Sequence, residues 1–369
     1  MRSSRFDYYL FGVVAILLTI GIVVLASVST IFSQENFGNT THYLFHQIIY
    51  GLISGIVLGF IAFKVKLTTI KKWALLIVLL NLILMVLVFI PGLGITAGGA
   101  SRWLNLGITS FQPSEFIKLA FIFYLAAWLT SLKRIRQSAK EKSIEFISFL
   151  VIIGVLIFLL TLQSDISTLG VIIIVAAVMY FSSDTSLWYS VLLALISIGS
   201  FFLLIKIAPY RMKRVQVLLG LIKDPMGLGY QIKQILITIG SGGLFGLGLG
   251  MSNQKFGFIP QTISDSIFAI IAEETGFIGS VVLILLFLIL FWRGFRISKK
   301  TEDGFSKLLA IGIISWTCIQ VFVNIGAMVG ILPLTGIPLP FISYGGSHLI
   351  AEMVGVGVLL NISKSERKC

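Results

Sequence analysis

Residues 8–32 read YYLFGVVAILLTIGIVVLASVSTIF, an apolar run without a single charged residue. About 20 consecutive apolar residues are enough for a helix to cross a bilayer, so this run predicts a membrane span. The run is too long for the apolar core of a signal peptide, and it shows no small-residue cleavage site. We therefore expect it to remain in the protein as a first transmembrane helix.

Further apolar runs follow along the whole chain. Hydrophobic residues make up 57% of the 369 residues and charged residues only 12%, with a mean hydropathy of +1.02. Soluble domains carry roughly twice that charged fraction. The sequence predicts an all-α polytopic membrane protein, with about ten transmembrane helices in a single domain, 1–369. The predicted spans are 8–32, 44–63, 73–91, 114–132, 144–162, 169–183, 186–208, 267–292, 308–330 and 347–362.

The distribution of basic residues predicts the orientation of the chain. If the N-terminus starts in the cytoplasm, the cytoplasmic segments hold most of the 28 Lys and Arg residues. Cytoplasmic loops of membrane proteins carry such an excess. We therefore expect both termini in the cytoplasm, and the net charge of +13 is explained by topology and does not indicate a nucleic-acid partner.

The segment 209–266 is predicted to be a large extracytoplasmic loop between the seventh and eighth helices, yet it is basic. It includes Arg211, Arg214 and Lys255. Two explanations fit: an anionic ligand such as a lipid phosphate, or anchoring to anionic headgroups. The apolar stretches 215–222 and 232–239 predict short interfacial helices within this loop. The loops 91–113 and 332–346 are rich in Gly and Pro, and irregular backbone at such depth indicates a cavity that opens outward.

Ionisable residues in or beside spans are candidates for function because their insertion costs about 2.5–3.5 kcal/mol each. Glu115 and Lys118 share one helix face and could form either a structural ion pair or part of a site. Asp165, in the polar break 163–168, could cap a helix or line a cavity. Asp265, just before the eighth span, could also be a cap, or a general base whose pKa burial has raised.

Several motifs taken together resemble the SEDS family (shape, elongation, division and sporulation), and the resemblance covers nearly the whole chain. The motifs are Arg102-Trp103-Leu104-Asn105-Leu106-Gly107, Gln112-Pro113-Ser114-Glu115-Phe116-Ile117-Lys118, the glycine-rich run 246–255, and the stretch 332–347, LPLTGIPLPFISYGGS. The form Gly250 to Lys255 resembles the division branch and its sporulation relatives more than the elongation branch. The sequence departs from the family pattern at residues 163–168, at 260–265, at His46, and at His348, where a second serine is common.

The resemblance implies a ten-helix peptidoglycan glycosyltransferase of the bacterial cytoplasmic membrane that polymerises lipid II on the outer face during septal wall synthesis. It implies that Asp265 is catalytic, as a general base. Residues implied to bind substrate are Arg102, Lys118, Arg211, Arg214, Lys255 and Ser343, and Glu115, Asp165 and Gln254 are implied to support them. No cofactor is certain, although a divalent cation (Mg²⁺ or Mn²⁺) could bind oxygen ligands such as Asp265.

The partners implied are lipid II, a class B penicillin-binding protein that crosslinks the strands, and other membrane proteins of the divisome. Three alternatives remain open at this point: a flippase or transporter of lipid II, an elongation-type polymerase, and a structural partner in a division complex. Transporters often show inverted repeats and midplane polar sites. No repeat is visible in this sequence, and its polar residues gather on one predicted side, which favours the enzyme.

Overall fold

The structure is a computed structural model that describes residues 6–97, 100–107, 109–134, 139–183, 209–221, 227–252 and 263–365. Within these ranges the chain is mainly helical. The helices are α1 (Tyr8–Phe37), α2 (His42–Lys64, with a π-helical segment at Gln47–Ile53), α3 (Leu67–Leu87), α4 (Pro113–Arg134), α5 (Ala139–Leu162), α6 (Ile166–Phe181), α7 (Pro209–Leu218), α8 (Leu228–Ser241), α9 (Ile267–Lys300), α10 (Gly304–Met328) and α11 (Gly346–Ser365).

Seven of the described helices are long and apolar enough to cross a membrane, namely α1, α2, α3, α4, α9, α10 and α11. Shorter apolar helices cover Leu150–Leu162 and Ile166–Phe181, where two further spans are predicted. The predicted span 186–208 lies outside the described residues. The chain is thus a multi-pass helical membrane protein. Two short helices, α7 and α8, lie within 209–266, and their interfacial position in an extracytoplasmic loop stays a prediction.

Helices α4 and α10 form the centre of the bundle, and α10 contacts α4, α6, α9 and α11. Their large side chains, such as Phe121 and Trp316, are almost completely buried. Helices α2 and α3 instead expose large apolar side chains, including Phe60 and Ile83. Apolar exposure of this kind is stable only in a lipid environment, so these helices form the lipid-facing periphery.

Glycines allow α2 to pack directly on α11. A Cβ added to Gly357 would lie 2.1 Å from the carbonyl oxygen of Gly59, and one added to Gly59 would lie 2.7 Å from the carbonyl oxygen of Met353. Small residues at such positions let two helix backbones approach closely within a membrane. This contact fixes the position of α11, which carries two of the buried charges described below.

The loop 91–113 is more regular than expected. It contains an antiparallel sheet of three short strands, β1 (Gly94–Ala97), β2 (Ala100–Asn105) and β3 (Ser110–Phe111), in the order β1-β2-β3. The expectation of irregular backbone in this loop was therefore wrong. Strand pairing satisfies backbone groups that an irregular loop would leave exposed, and β2 presents Arg102 to the helical bundle.

Candidate active site

Asp265 lies directly before α9, and that helix is broken one third of the way along. Gly276 has φ 69° and ψ −166°, a conformation that is open to glycine and strained for other residues. The N–H of Phe277 donates to the carbonyl of Gly243 (2.9 Å), and the N–H of Gly248 donates to the carbonyl of Glu274 (3.0 Å). The glycine-rich loop thus satisfies the backbone groups that the break leaves free. Glu273 and Glu274 lie at this break, which interrupts the predicted span 267–292.

The segment that carries Asp265 is held by neighbouring polar groups. The Asn324 side-chain amide donates to the carbonyl oxygens of Asp265 and Ile337, both at 2.8 Å. The Ser343 hydroxyl donates to the carbonyl oxygen of Ser264. The N–H of Tyr344 donates to the carbonyl oxygen of Ile263 at 2.9 Å. These contacts fix the backbone at Asp265 from two separate elements, α10 and the loop before α11.

The Asp265 carboxylate is only 6% exposed. Its Oδ1 accepts a hydrogen bond from the Ser264 hydroxyl at 3.1 Å. Burial raises the pKa of the Asp265 carboxyl to about 6, while hydrogen bonds and the positive charge of Arg214 act in the opposite direction. The residue that begins the helix as its N-cap is Ser266, so the alternative in which Asp265 is the cap is wrong. A carboxylate with a pKa near 6 is suited to accept a proton at neutral pH.

The loop 334–344 joins several of the predicted site residues. Arg214 in α7 donates from Nη1 to the carbonyl of Leu334 (2.6 Å), and Ser167 in α6 donates to that of Thr335 (2.7 Å). A Cβ built on Gly336 would lie in ordinary van der Waals contact with Oδ2 of Asp265, at 3.6 Å, so this turn of the loop lies directly beside the carboxylate. Asp265, Arg214 and Ser343 are therefore brought together by one loop, through contacts that sequence spacing does not indicate.

Arg102 and Asp165 meet at the corner between α5 and α6. The Arg102 guanidinium donates to the carbonyl oxygens of Gln163 (3.1 Å) and Ser164 (2.7 Å). Ser164 has a positive φ of 55°, and Asp165 caps α6 by accepting from the N–H of Thr168 at 3.3 Å. The capping alternative for Asp165 is confirmed. Arg102 fixes this corner, and its predicted role in phosphate binding stays a prediction.

Glu115 and Lys118 form the expected ion pair on α4, with 2.8 Å between Oε2 and Nζ. The pair is part of a larger cluster, because Nδ1 of His348 lies 2.7 Å from the same Glu115 oxygen. Nε2 of His348 lies 3.0 Å from Oε1 of Glu352. We call these four buried residues, Glu115, Lys118, His348 and Glu352, the charge cluster. The structural alternative for Glu115 and Lys118 is confirmed, and phosphate binding by Lys118 stays a prediction.

The three remaining predicted site residues are not among the described side chains. Gln254 and Lys255 lie outside the described residues, and Arg211 lies in α7 but outside the described side chains. For the divalent cation, the described residues contain no group of three His, Cys, Asp or Glu side chains that could hold a metal ion. Asp265 is the one residue predicted as a ligand, so the described side chains do not fit a site for a divalent cation.

Asn324 and Glu352 are the residues that our site prediction missed. Asn324 carries no charge, so a survey of ionisable residues does not include it. Glu352 lies within the last predicted span and is only 2% exposed. The high free energy of placing an acid in a membrane would have singled it out. Glu352 could therefore have been found from the sequence, by considering every acidic residue within a predicted span.

Known proteins similar to this chain agree on one family. The chain matches the FtsW/RodA/SpoVE family, described as cell cycle proteins, over residues 8–368. Stage V sporulation protein E of Bacillus subtilis (strain 168) is 40% identical over 99% of both chains. The probable peptidoglycan glycosyltransferase FtsW of Geobacter sp. (strain M18) is 38% identical, again over 99% of both.

Solved structures agree with these relatives. The chain superposes with a TM-score of 0.77 and 26% identity, over 99% of both chains, on a chain of a peptidoglycan synthase complex that coordinates polymerization and crosslinking. It superposes on the rod shape determining protein RodA of Thermus thermophilus with a TM-score of 0.71 and 26% identity, over 99% of this chain and 98% of that one. The full-length match in both sequence and fold means that this chain belongs to the FtsW/RodA/SpoVE family of cell cycle proteins.

Proposed function

We propose that the chain is a peptidoglycan glycosyltransferase that polymerises lipid II on the outer face of the bacterial cytoplasmic membrane. The observation that carries the proposal is the Asp265 carboxylate, buried and held at a pKa of about 6. Relatives at 35–38% identity over nearly their whole length are named probable peptidoglycan glycosyltransferases, which supports the same reaction.

In the proposed reaction the 4-hydroxyl oxygen of the acceptor GlcNAc attacks C1 of the donor MurNAc. The new O4–C1 bond forms as the bond from C1 to the pyrophosphate oxygen breaks, with inversion at C1. Asp265 takes the hydroxyl proton, and the lipid pyrophosphate leaves with the bonding electron pair. General-base assistance of this kind contributes about 10²- to 10⁴-fold in rate.

Basic side chains would stabilise the charge that develops on the pyrophosphate. Arg214 is the described candidate nearest to the reaction, because its charge acts on the Asp265 carboxyl and its side chain is fixed on the loop 334–344. Arg102, Lys118, Arg211 and Lys255 remain proposed substrate-binding residues, with Ser343, and Glu115, Asp165 and Gln254 as proposed supporting residues. The lipid chain could lie in the open groove of about 400 Å³ between α7 and α8, which Ile232, Leu236 and Lys233 line.

Within the family, both the division role and the sporulation role fit, because FtsW proteins and a sporulation protein are the relatives of similar identity. We propose that the protein acts in septal wall synthesis. We also propose that both termini lie in the cytoplasm. A class B penicillin-binding protein and other divisome membrane proteins are its proposed partners. The superposition on a chain of a synthase complex that couples polymerization to crosslinking supports the first of these.

The test is polymerisation of labelled lipid II by the purified protein with its penicillin-binding partner, comparing wild type with Asp265→Asn. Asparagine keeps the shape of the side chain and cannot accept the proton, so glycan strands should fall by at least about 10²-fold. Full polymerisation by Asp265→Asn would refute the assignment of the base. If neither wild type nor Asp265→Asn makes glycan strands, and intact lipid II crosses the membrane of vesicles that contain the protein, the flippase is favoured instead.

A further inference from the structure

The charge cluster contains a histidine held between two carboxylates. Nδ1 of His348 lies 2.7 Å from Glu115, and Nε2 lies 3.0 Å from Glu352, one helical turn further along α11. With His348 protonated, Lys118 and His348 balance the charges of Glu115 and Glu352. Ions that are removed from water need oppositely charged partners close by. Lys118 and His348 both hydrogen-bond to Glu115, and the contact between His348 and Glu352 is an ion pair by distance.

The cluster has one contact with the backbone of the loop 334–344. Oε2 of Glu352 accepts a hydrogen bond from the N–H of Phe341 at 2.7 Å. Phe341 has a φ of 63°, in the left-handed region that residues with a bulky side chain rarely adopt. Such a conformation persists only where the surroundings hold it in place. Glu352 is one of the groups that do so, through a charge-assisted hydrogen bond.

From Phe341 the contacts continue to the segment of Asp265. A Cβ added to Gly21 in α1 would lie 2.6 Å from the Phe341 carbonyl oxygen, so α1 closes directly on this turn. Two residues further along, Ser343 donates to the carbonyl of Ser264, next to Asp265. The turn at Phe341 and the Asp265 carboxylate are thus linked through a short and tightly packed stretch of backbone.

We propose that Glu352, held by His348, is a positioning residue for the reaction: it fixes the Phe341 turn and, through Ser343, the placement of the Asp265 carboxylate. This inference rests on the proposed function for its catalytic consequence. Glu352 itself touches neither substrate nor the Asp265 carboxylate, so it acts on rate by geometry and not by accepting a proton. A misplacement of about 1 Å at a reacting group can cost about 10²-fold in rate.

The experiment compares two substitutions at Glu352 in the full-length protein with its partner. Glu352→Leu removes the acceptor for the Phe341 N–H, whereas Glu352→Gln keeps an amide oxygen that can accept it. The control is Asn361→Leu on the same helix. The Asn361 side chain also hydrogen-bonds to the backbone, donating to the carbonyls of Ala62 and Val65 at the opposite end of α11 from the Phe341 turn. Rates are measured per folded molecule, with the folded fraction taken from size-exclusion and thermal unfolding.

We expect Glu352→Leu to lower kcat about 10- to 100-fold with KM changed less than about twofold. Glu352→Gln and Asn361→Leu should keep kcat within about threefold of wild type. Glu352→Leu with a wild-type kcat, or Asn361→Leu with an equal loss, would overturn the inference. Failure of wild type to polymerise lipid II would instead count against the proposed function.

A second measurement does not depend on activity. Asp265→Cys, in a background with Cys318→Ala and Cys369→Ser, is labelled with a water-soluble maleimide. Adding Glu352→Leu should change the labelling rate at least about fivefold, since a displaced segment changes the exposure of residue 265, while adding Asn361→Leu should not. Equal rates in all three backgrounds would overturn the inference, whatever the polymerase assay shows.

Discussion

Asp265 and Glu352 are two buried carboxylates with very different surroundings. They are 6% and 2% exposed, so burial does not distinguish them. The side chain of Asp265 accepts from the Ser264 hydroxyl, and burial raises its pKa despite the charge of Arg214. Glu352 shares His348 with Glu115 inside the charge cluster. Equal burial thus gives a carboxylate suited to take up a proton in one place and a fixed structural charge in the other.

The largest expected effect on stability comes from breaking the charge cluster. His348→Ser leaves Glu352 as a buried charge without its cation, which should lower the free energy of unfolding by about 3–5 kcal/mol. Adding Glu352→Gln should recover most of that loss, because a neutral amide needs no cation. The measurement is thermal unfolding in detergent, followed by tryptophan fluorescence.

A matched control is His46→Ser. His46 bonds the hydroxyls of Tyr344 (3.0 Å) and Thr109 (3.2 Å), so its loss removes hydrogen bonds to neutral groups and should destabilise by only about 1 kcal/mol. If the double variant at His348 and Glu352 were less stable than His348→Ser alone, the two residues would not act as an ion pair, and the contrast with Asp265 would fail.

The next largest expected effect is a stabilisation, from substitution of Asp265. The pKa of Asp265 is raised in the folded protein, from 3.8 to about 6, so the charged form destabilises the fold. The stability that protonated Asp265 provides is complete below pH 3.8 and is lost as the pH rises through about 6. At pH 8 Asp265→Asn should therefore stabilise the protein by up to about 3 kcal/mol, since each pKa unit corresponds to about 1.36 kcal/mol.

This prediction is checked by unfolding wild type and Asp265→Asn at pH 8 and again at pH 5. The gain should be clearly smaller at pH 5, where most Asp265 side chains are protonated in the folded state. A variant that is less stable than wild type at pH 8 would show that the Asp265 carboxylate is held by compensating charges, as Glu352 is.

The smallest effect concerns the pH dependence of polymerisation. The base must be unprotonated, so kcat/KM should rise with pH and reach half its maximum near pH 6. Arg214 lowers the pKa of Asp265 by its charge. Arg214→Gln keeps a donor for the Leu334 carbonyl but removes that charge, and should move the midpoint upward by roughly half a unit. Profiles between pH 5 and 8 decide the matter, and a midpoint that is unchanged or lower would contradict the role of Arg214.

Much of the fold follows from the sequence. Apolar runs predicted spans whose ends lie within eight residues of those of nine described helices, because a helix is the structure that satisfies its own backbone in lipid. The glycine-rich segment 246–250 and Gly276 gave no sign of the break in α9, since it depends on hydrogen bonds between residues about 30 positions apart. The small sheet before α4 was missed because short strands leave little pattern in a loop rich in Gly and Pro.

The sequence by itself determined that this protein lies in a membrane and which family it resembles, and it singled out Asp265 as a candidate catalytic acid. Hydropathy and motifs are properties of short stretches of sequence, so no tertiary structure is needed to read them. Only the tertiary structure decided which polar groups meet. Asn324, Ser343 and Arg214 come to Asp265 from three elements, and His348 joins Glu115 from a helix more than 200 residues away. Hydrogen bonds and ion pairs act over about 3 Å, so the function of each buried charge depends on packing that no local pattern records.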